Sequence, residues 1–299
     1  MKTRIAAFAS EWVQPAAFDW RSVVAILLGA VALMPLTWHL PMLGWDWYFF
    51  DQGGWNATYP PWLSVAIAPL ATWDWRVGLA LLNGLLLMTV AIATRRETRS
   101  NTRGPFGAIL LALFTPPVFM LLWLGNVASL TLLGLVALPV GVPYAVLQPH
   151  LASWALLARR RWTLWGLAFF ALTLVIWGWW PGDLLGRLGS SLAHPLAMGW
   201  QILGWPVPIV GAVLLLLSNA DPLRLIAAGA FLTPYVMPQH FVLLIPAIGR
   251  VEGKWRWLLW ASAWLTLLPA MFLAPWSKYA AMLFPLAVWW LLHPGKRSS

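Results

Sequence analysis

Residues 77–94, 163–180 and 225–248 contain no Asp, Glu, Lys or Arg. A helix crossing about 30 Å of hydrocarbon needs about 20 such residues. Runs of this length recur along the 299-residue chain, and they constrain its fold more than any other feature. Hydrophobic residues make up 61% and charged residues 9%, where a soluble domain carries about a quarter charged residues. So few charges do not cover a water-facing surface. Disorder needs low hydrophobicity and is excluded. A disulfide scaffold or a Cys-ligated metal site is excluded because the chain has no Cys. The class this leaves is all-α: a polytopic integral membrane protein forming a single membrane domain over residues 1–299. Residues 1–21 are polar and mixed and lack a cleavable signal pattern, so the first apolar run reads as a retained helix.

The candidate membrane segments are residues 23–40, 77–94, 106–124, 127–138, 144–158, 163–180, 207–218, 225–248, 258–272 and 279–292. Several are too short to span alone, giving roughly 8–11 transmembrane or half-spanning helices. Three are broken by proline, at Pro116-Pro117, Gln148-Pro149 and Pro234 to Pro238. Non-helical backbone at membrane depth must be buried in protein or line a wet cavity. The breaks therefore read either as helices converging on a cavity or as kinked packing helices.

The net charge of +10 would suggest nucleic acid on a soluble protein. Here 16 of 19 basic residues lie in clusters between apolar runs, leaving Arg76, Arg187 and Lys278 apart. The pattern reads as positive-inside topology rather than nucleic-acid binding. It puts both termini in the cytoplasm and localises the chain to the cell membrane of a bacterial-looking source. Two external segments follow, residues 42–75 and 181–205. The second is interfacial, with Leu184, Leu185, Leu188 and Leu192 on an apolar stripe. Trp38, Trp45, Trp47, Trp73, Trp75, Trp177, Trp179 and Trp180 on the outside, and Trp162, Trp255, Trp257, Trp289 and Trp290 on the inside, read as aromatic interface belts.

Chemistry has few residues to draw on: nine acids and five His. Three acids, Asp46, Asp51 and Asp74, fall on the first external segment with no Lys before Arg76. Asp46 and Asp51 flank an aromatic run, Trp47-Tyr48-Phe49-Phe50. An acid held among apolar rings is partly desolvated, which raises its pKa and suits it as a general base. The plain alternative is a solvated loop acid or a helix cap. His150 and His240 sit beside proline breaks, where burial costs energy unless they are paired or face a cavity. The Asn56-Ala57-Thr58 sequon carries no weight in such a chain. No P-loop, GxGxxG, HExxH or GxSxG motif is present.

The order of these features resembles the GT-C class of membrane glycosyltransferases, and most closely the polyprenyl-phosphate-mannose-dependent family 87 type. The resemblance runs from Asp46 to Pro246: an Asp after the first span, Tyr59-Pro60-Pro61 entering the second, Gly125-Asn126 opening a later helix, and Gln148-Pro149 before the basic turn Arg159-Arg160-Arg161. Thr233-Pro234 with His240 follows. Asn126 stands where the family has Gln, Gln148 where it has Lys, and Thr233 where it has Ser. The first external segment is shorter than the family's. The resemblance implies a mannosyltransferase-type enzyme that moves a sugar from a polyprenyl-phosphate donor to an acceptor at the outer face, among membrane lipids. Asp46, with Asp51 second, is the implied catalytic base, and a divalent cation at Asp46 is the one cofactor it allows. The implied substrate-binding residues are Tyr59, Asn126, Gln148, His150, Arg187, His194 and His240. Two other readings stay open. Broken helices with polar residues also mark a transporter or flippase-like carrier, and small size with many Trp suits a non-catalytic subunit of a membrane complex.

Overall fold

The computed structural model describes residues 20–40, 44, 46–48, 59–98, 105–186, 189 and 192–293. Asp51, Arg187, Arg99, Arg103 and the cationic termini, expected to carry chemistry or topology, lie outside these residues, as does the sequon at 56–58.

The described chain is all-helical. Its elements are α1 (Trp20–His39), α2 (Leu63–Ala71), α3 (Trp75–Glu97), α4 (Pro105–Leu113), α5 (Pro116–Leu124), α6 (Ala128–Val136), α7 (Val142–Ala145), α8 (Pro149–Leu156), α9 (Arg160–Trp177) and α10 (Trp180–Gly186). Then follow α11 (Trp200–Leu203), α12 (Pro206–Leu216), α13 (Pro222–Leu232), α14 (Ala247–Arg250), α15 (Gly253–Trp264), α16 (Leu268–Met271), α17 (Pro275–Ala281) and α18 (Leu283–Leu291). Proline repeatedly sets the starts: it has no N–H to lose at the first turn and its φ is already helical. α5, α7, α8, α12, α13, α16 and α17 all carry it there.

Against the 8–11 segments expected, one described helix, α3, is long and apolar enough to cross a membrane. The number rises to three if each bent pair counts as one span: 106–124, bent by 56°, and Arg160–Gly186, bent by 89°. Leu27–His39, α12 and α13 are apolar but shorter. The apolar outer faces of these helices are compatible with a membrane location. Leu167, Val175, Ile209 and Leu216 are all exposed, a density of surface hydrocarbon that water does not favour.

The centre of the fold is not α-helical. After α13 the chain breaks at Thr233–Met237 and continues as a 3₁₀ segment, Pro238–Leu244. Phe241 to Ile245 are fully buried, enclosed by α5, α6, α13 and α18. The broken segment 225–248 therefore has one α arm and one 3₁₀ arm. Pro238 and Pro246 bracket the second arm, so no continuous i→i−4 ladder runs through it. Protein surrounds this irregular backbone, as a low-dielectric setting demands.

Several residues expected to serve topology or the interface are instead packed inside. Trp47 is fully buried and donates from Nε1 to the Trp75 carbonyl at 2.8 Å. Trp162, Trp180 and Trp289 are also buried rather than forming a belt. Burying the whole ring contributes more than leaving it at an interface, provided the N–H finds a partner. Trp289 does, donating to Leu214 O at 2.9 Å and Ser218 Oγ at 3.0 Å. Arg224 is fully buried with its guanidinium 4.3 Å from the Trp289 ring, and it donates from Nε to the Trp289 carbonyl. Arg250 pairs with Glu97 at 2.5 Å and with Asp221, whose side chain also caps α13. These two arginines hold α3, α13, α14 and α18 together.

Candidate functional site

Asp46 is placed by its neighbours. Gly44 donates its N–H to Trp123 O at 2.6 Å, and the buried Trp47 indole locks the turn at 46–48 against α3. On the other side, α5 ends at Gly125 in the left-handed conformation, φ 65°. A Cβ there would fall 2.5 Å from Leu79 Cδ1 and 2.8 Å from Trp47 Cβ. Only glycine lets the two turns approach this closely, and the approach puts Asn126 on Asp46.

Asn126 Nδ2 donates to Asp46 Oδ2 at 2.8 Å and lies 3.1 Å from the Tyr59 hydroxyl. Its Oδ1 accepts the Ala128 N–H at 2.9 Å, which fixes which end of the amide faces the carboxylate. Tyr59 is held by the following Pro60-Pro61-Trp62, where the Trp62 indole donates to Pro143 O at 2.9 Å. Burial raises the Asp46 pKa, opposed by the Asn126 hydrogen bond and by His194. The Tyr59 phenol is pushed up by burial first, then by the Asp46 charge and by Tyr235, so it stays protonated.

A second polar cluster continues from Tyr59. Gln148 precedes α8, and its buried side chain lies within hydrogen-bonding reach of the Tyr59 phenol. His150, in the first turn of α8, stacks on Tyr235 with centroids 5.0 Å apart and planes at 23°. Its Nε2 lies 3.4 Å from His240 Nδ1, which also accepts the Met237 N–H. The proton between the rings therefore sits on His150 Nε2. Thr233 Oγ1 donates to the His150 carbonyl at 2.8 Å, tying α8 to the break after α13. Gln239 is buried next to His240, and its Oε1 makes no hydrogen bond among the described residues.

The stretch 198–205 is sewn to that same break. Met198 and Val236 form an antiparallel bridge, and Trp200 donates to Thr233 O. This seam carries His194 to the rim, where it interacts electrostatically with Asp46. Burial lowers the His194 pKa, the Asp46 charge opposes that shift, and the Lys278 ammonium reinforces it.

Six nominated residues, Asp46, Tyr59, Asn126, Gln148, His150 and His240, thus join in one run of polar side chains, with His194 at its edge. Asp51 and Arg187 lie outside the described residues. Sequence reasoning left out Tyr235, which bridges Tyr59 and His150, and Lys278, the cation facing His194. Both gave a signal: Tyr235 is one of five Tyr and sits in a proline break, and Lys278 is one of three cations outside the basic clusters. Among the described residues no group of three His, Asp or Glu side chains gathers that could hold a metal ion.

The arrangement suits proton acceptance by a desolvated carboxylate held by one fixed amide donor, with the Lys278 cation at the rim and buried amides and imidazoles behind. No protein-family model, curated protein or solved structure matches the chain.

Proposed function

We propose that the chain is a polytopic membrane glycosyltransferase of GT-C type, moving a mannose-type sugar from a polyprenyl-phosphate donor to an acceptor hydroxyl at the outer membrane face. Its termini lie in the cytoplasm and its broken helices surround the site. The observation that carries this reading is the Asp46–Asn126–Tyr59 contact: a carboxylate with its basicity raised by burial and one oxygen fixed in place.

In the proposed reaction the acceptor hydroxyl gives its proton to Asp46. The acceptor oxygen forms the new bond to the anomeric carbon as the sugar–phosphate bond breaks, and the polyprenyl phosphate leaves with the electron pair. A raised pKa brings the base nearer to the operating pH. Tyr59, kept neutral, and Asn126 position the carboxylate. The leaving phosphate needs positive charge, which Lys278 supplies from the rim, with the His194 imidazole beside it. Gln148 and Gln239, buried amides beside Tyr59 and His240, suit sugar hydroxyls.

The test is sugar transfer in proteoliposomes containing a polyprenyl-phosphate mannose donor. Transfer by the wild-type chain that falls about 100-fold or more in Asp46→Asn supports the reading, since general-base catalysis contributes roughly 10²–10⁴. Full activity in Asp46→Asn removes Asp46 as the base. Donor movement across the bilayer without transfer would favour a carrier instead.

A further inference from the structure

A cavity of about 230 Å³ lies on the far side of the 3₁₀ segment from Asp46, at the end of the fold that carries the arginine clusters. Its walls are mostly hydrocarbon: Leu132, Leu135, Leu138, Ala155, Ile226 and Leu243. An apolar cavity of 150 Å³ is enough to take up benzene, so this one admits a longer stretch of chain. The polar groups gather at one edge. Arg96, an exposed residue, lines the cavity and donates to the Val136 carbonyl at 2.7 Å. Trp162 forms another wall, and Arg159 stacks on its ring at 4.7 Å. The Trp162 indole N–H has no acceptor among the described residues. The one acid in the lining, Glu97, is already engaged by Arg250. Arg95 and Arg160, both exposed, stand beside these groups. The mouth is therefore positive and the interior apolar.

We propose that this cavity binds an anionic membrane amphiphile, with a hydrocarbon chain inside and the acidic phosphate headgroup against Arg96 and Arg159. A headgroup alone leaves the apolar walls unfilled, and a neutral amphiphile leaves the guanidinium groups without a counter-charge. Basic pockets between helices on the positive-inside face match lipid phosphates in this way. The site is separate from Asp46, and its test does not depend on sugar transfer.

The purified full-length chain in detergent is titrated with dioctanoyl phosphatidic acid, dioctanoyl phosphatidylcholine and inorganic phosphate, read by thermal shift and native mass spectrometry. Saturable binding and stabilisation by the anionic lipid are expected, with much weaker binding of phosphatidylcholine and none of phosphate alone. Arg96→Gln and Arg159→Gln, at exposed side chains, should each weaken the anionic lipid about fivefold. Ala155→Leu, which narrows the cavity, should weaken both lipids. Equal affinity for the two lipids, binding of phosphate as strong as that of the lipid, or unchanged affinity in the double arginine variant would each overturn the proposal.

Discussion

Asn126 holds Asp46 across 80 residues of chain, donating from Nδ2 to Oδ2 at 2.8 Å while the Ala128 N–H holds its other end. The amide cannot turn without losing one bond, so the carboxylate meets a donor on one oxygen whatever occupies the other. This couples Asp46's basicity to a residue in the turn between α5 and α6.

Removing that donor should change the pH dependence in a known direction. The Asn126 hydrogen bond lowers the Asp46 pKa against the dominant effect of burial. In Asn126→Ala the pKa therefore rises further, and the acid limb of kcat/KM for transfer moves to higher pH. A limb that stays in place or moves to lower pH would show that this carboxylate does not set the profile.

Asp46→Asn should cost activity and add stability. Burial makes the folded Asp46 pKa higher than the unfolded one, so the folded protein binds the extra proton. The resulting contribution is present at low pH and is lost as pH rises through the folded pKa. At pH 7 the buried charge is a liability that the neutral amide removes. The Tm of Asp46→Asn is expected to exceed wild type at pH 7, with the difference closing below about pH 4, the ordinary Asp range. An unchanged or lower Tm at pH 7 would count against a desolvated carboxylate.

Lys278→Met tests the rim. The ammonium lowers the His194 pKa, so its removal should raise that pKa, measurable by NMR titration of the ring. If the same cation steadies the leaving phosphate, transfer should fall about 10- to 100-fold, one charge-assisted contact being worth roughly 1.5–3 kcal/mol. A shifted imidazole with full activity would place Lys278 beside the site without a role in it.

Gly199→Ala should loosen the seam that joins Met198 to the break after α13. Gly199 has φ 118°, and a Cβ would lie 2.7 Å from both the Thr233 and Pro234 carbonyl oxygens. A loss of about 1–3 kcal/mol is expected for forcing a side chain there. Amide exchange should quicken at Met198 and Val236, whose bridge is the nearest casualty. Unaltered exchange would mean that the seam is not held by this approach.

Arg250→Met removes the cation shared by Glu97 and Asp221. Two partly buried carboxylates are left facing one another, at a cost between the surface and fully buried limits, about 2 kcal/mol. Thermal unfolding of the variant should therefore recover when Glu97→Gln is added, a coupling read from a double-mutant cycle.

How much was legible in sequence differs from residue to residue. The proline breaks at 116, 149 and 234 were visible because proline acts on its own backbone. Asp46, Tyr59 and Asn126 were nominated from their order along the chain, while Tyr235 and Lys278 carried only the weak signal of rarity and position, with no motif around them. Arg224 and Arg250 were read as topology signals. A charge near a run of others looks the same in sequence whether solvated or buried over Trp289. Trp47 was assigned to an interface belt for a similar reason: hydropathy does not distinguish a ring facing lipid from one packed under Gly78 and Gly125.

The sequence by itself determined an all-helical, apolar chain, where its helices break and where its few charges lie. These properties depend on neighbours within a turn or two. Which polar groups meet was decided only by tertiary structure, because Asp46 with Asn126 and His150 with His240 stand 80 and 90 residues apart. Their approach depends on a left-handed Gly125, on the seam between Met198 and Val236, and on the buried 3₁₀ segment around which the helices close.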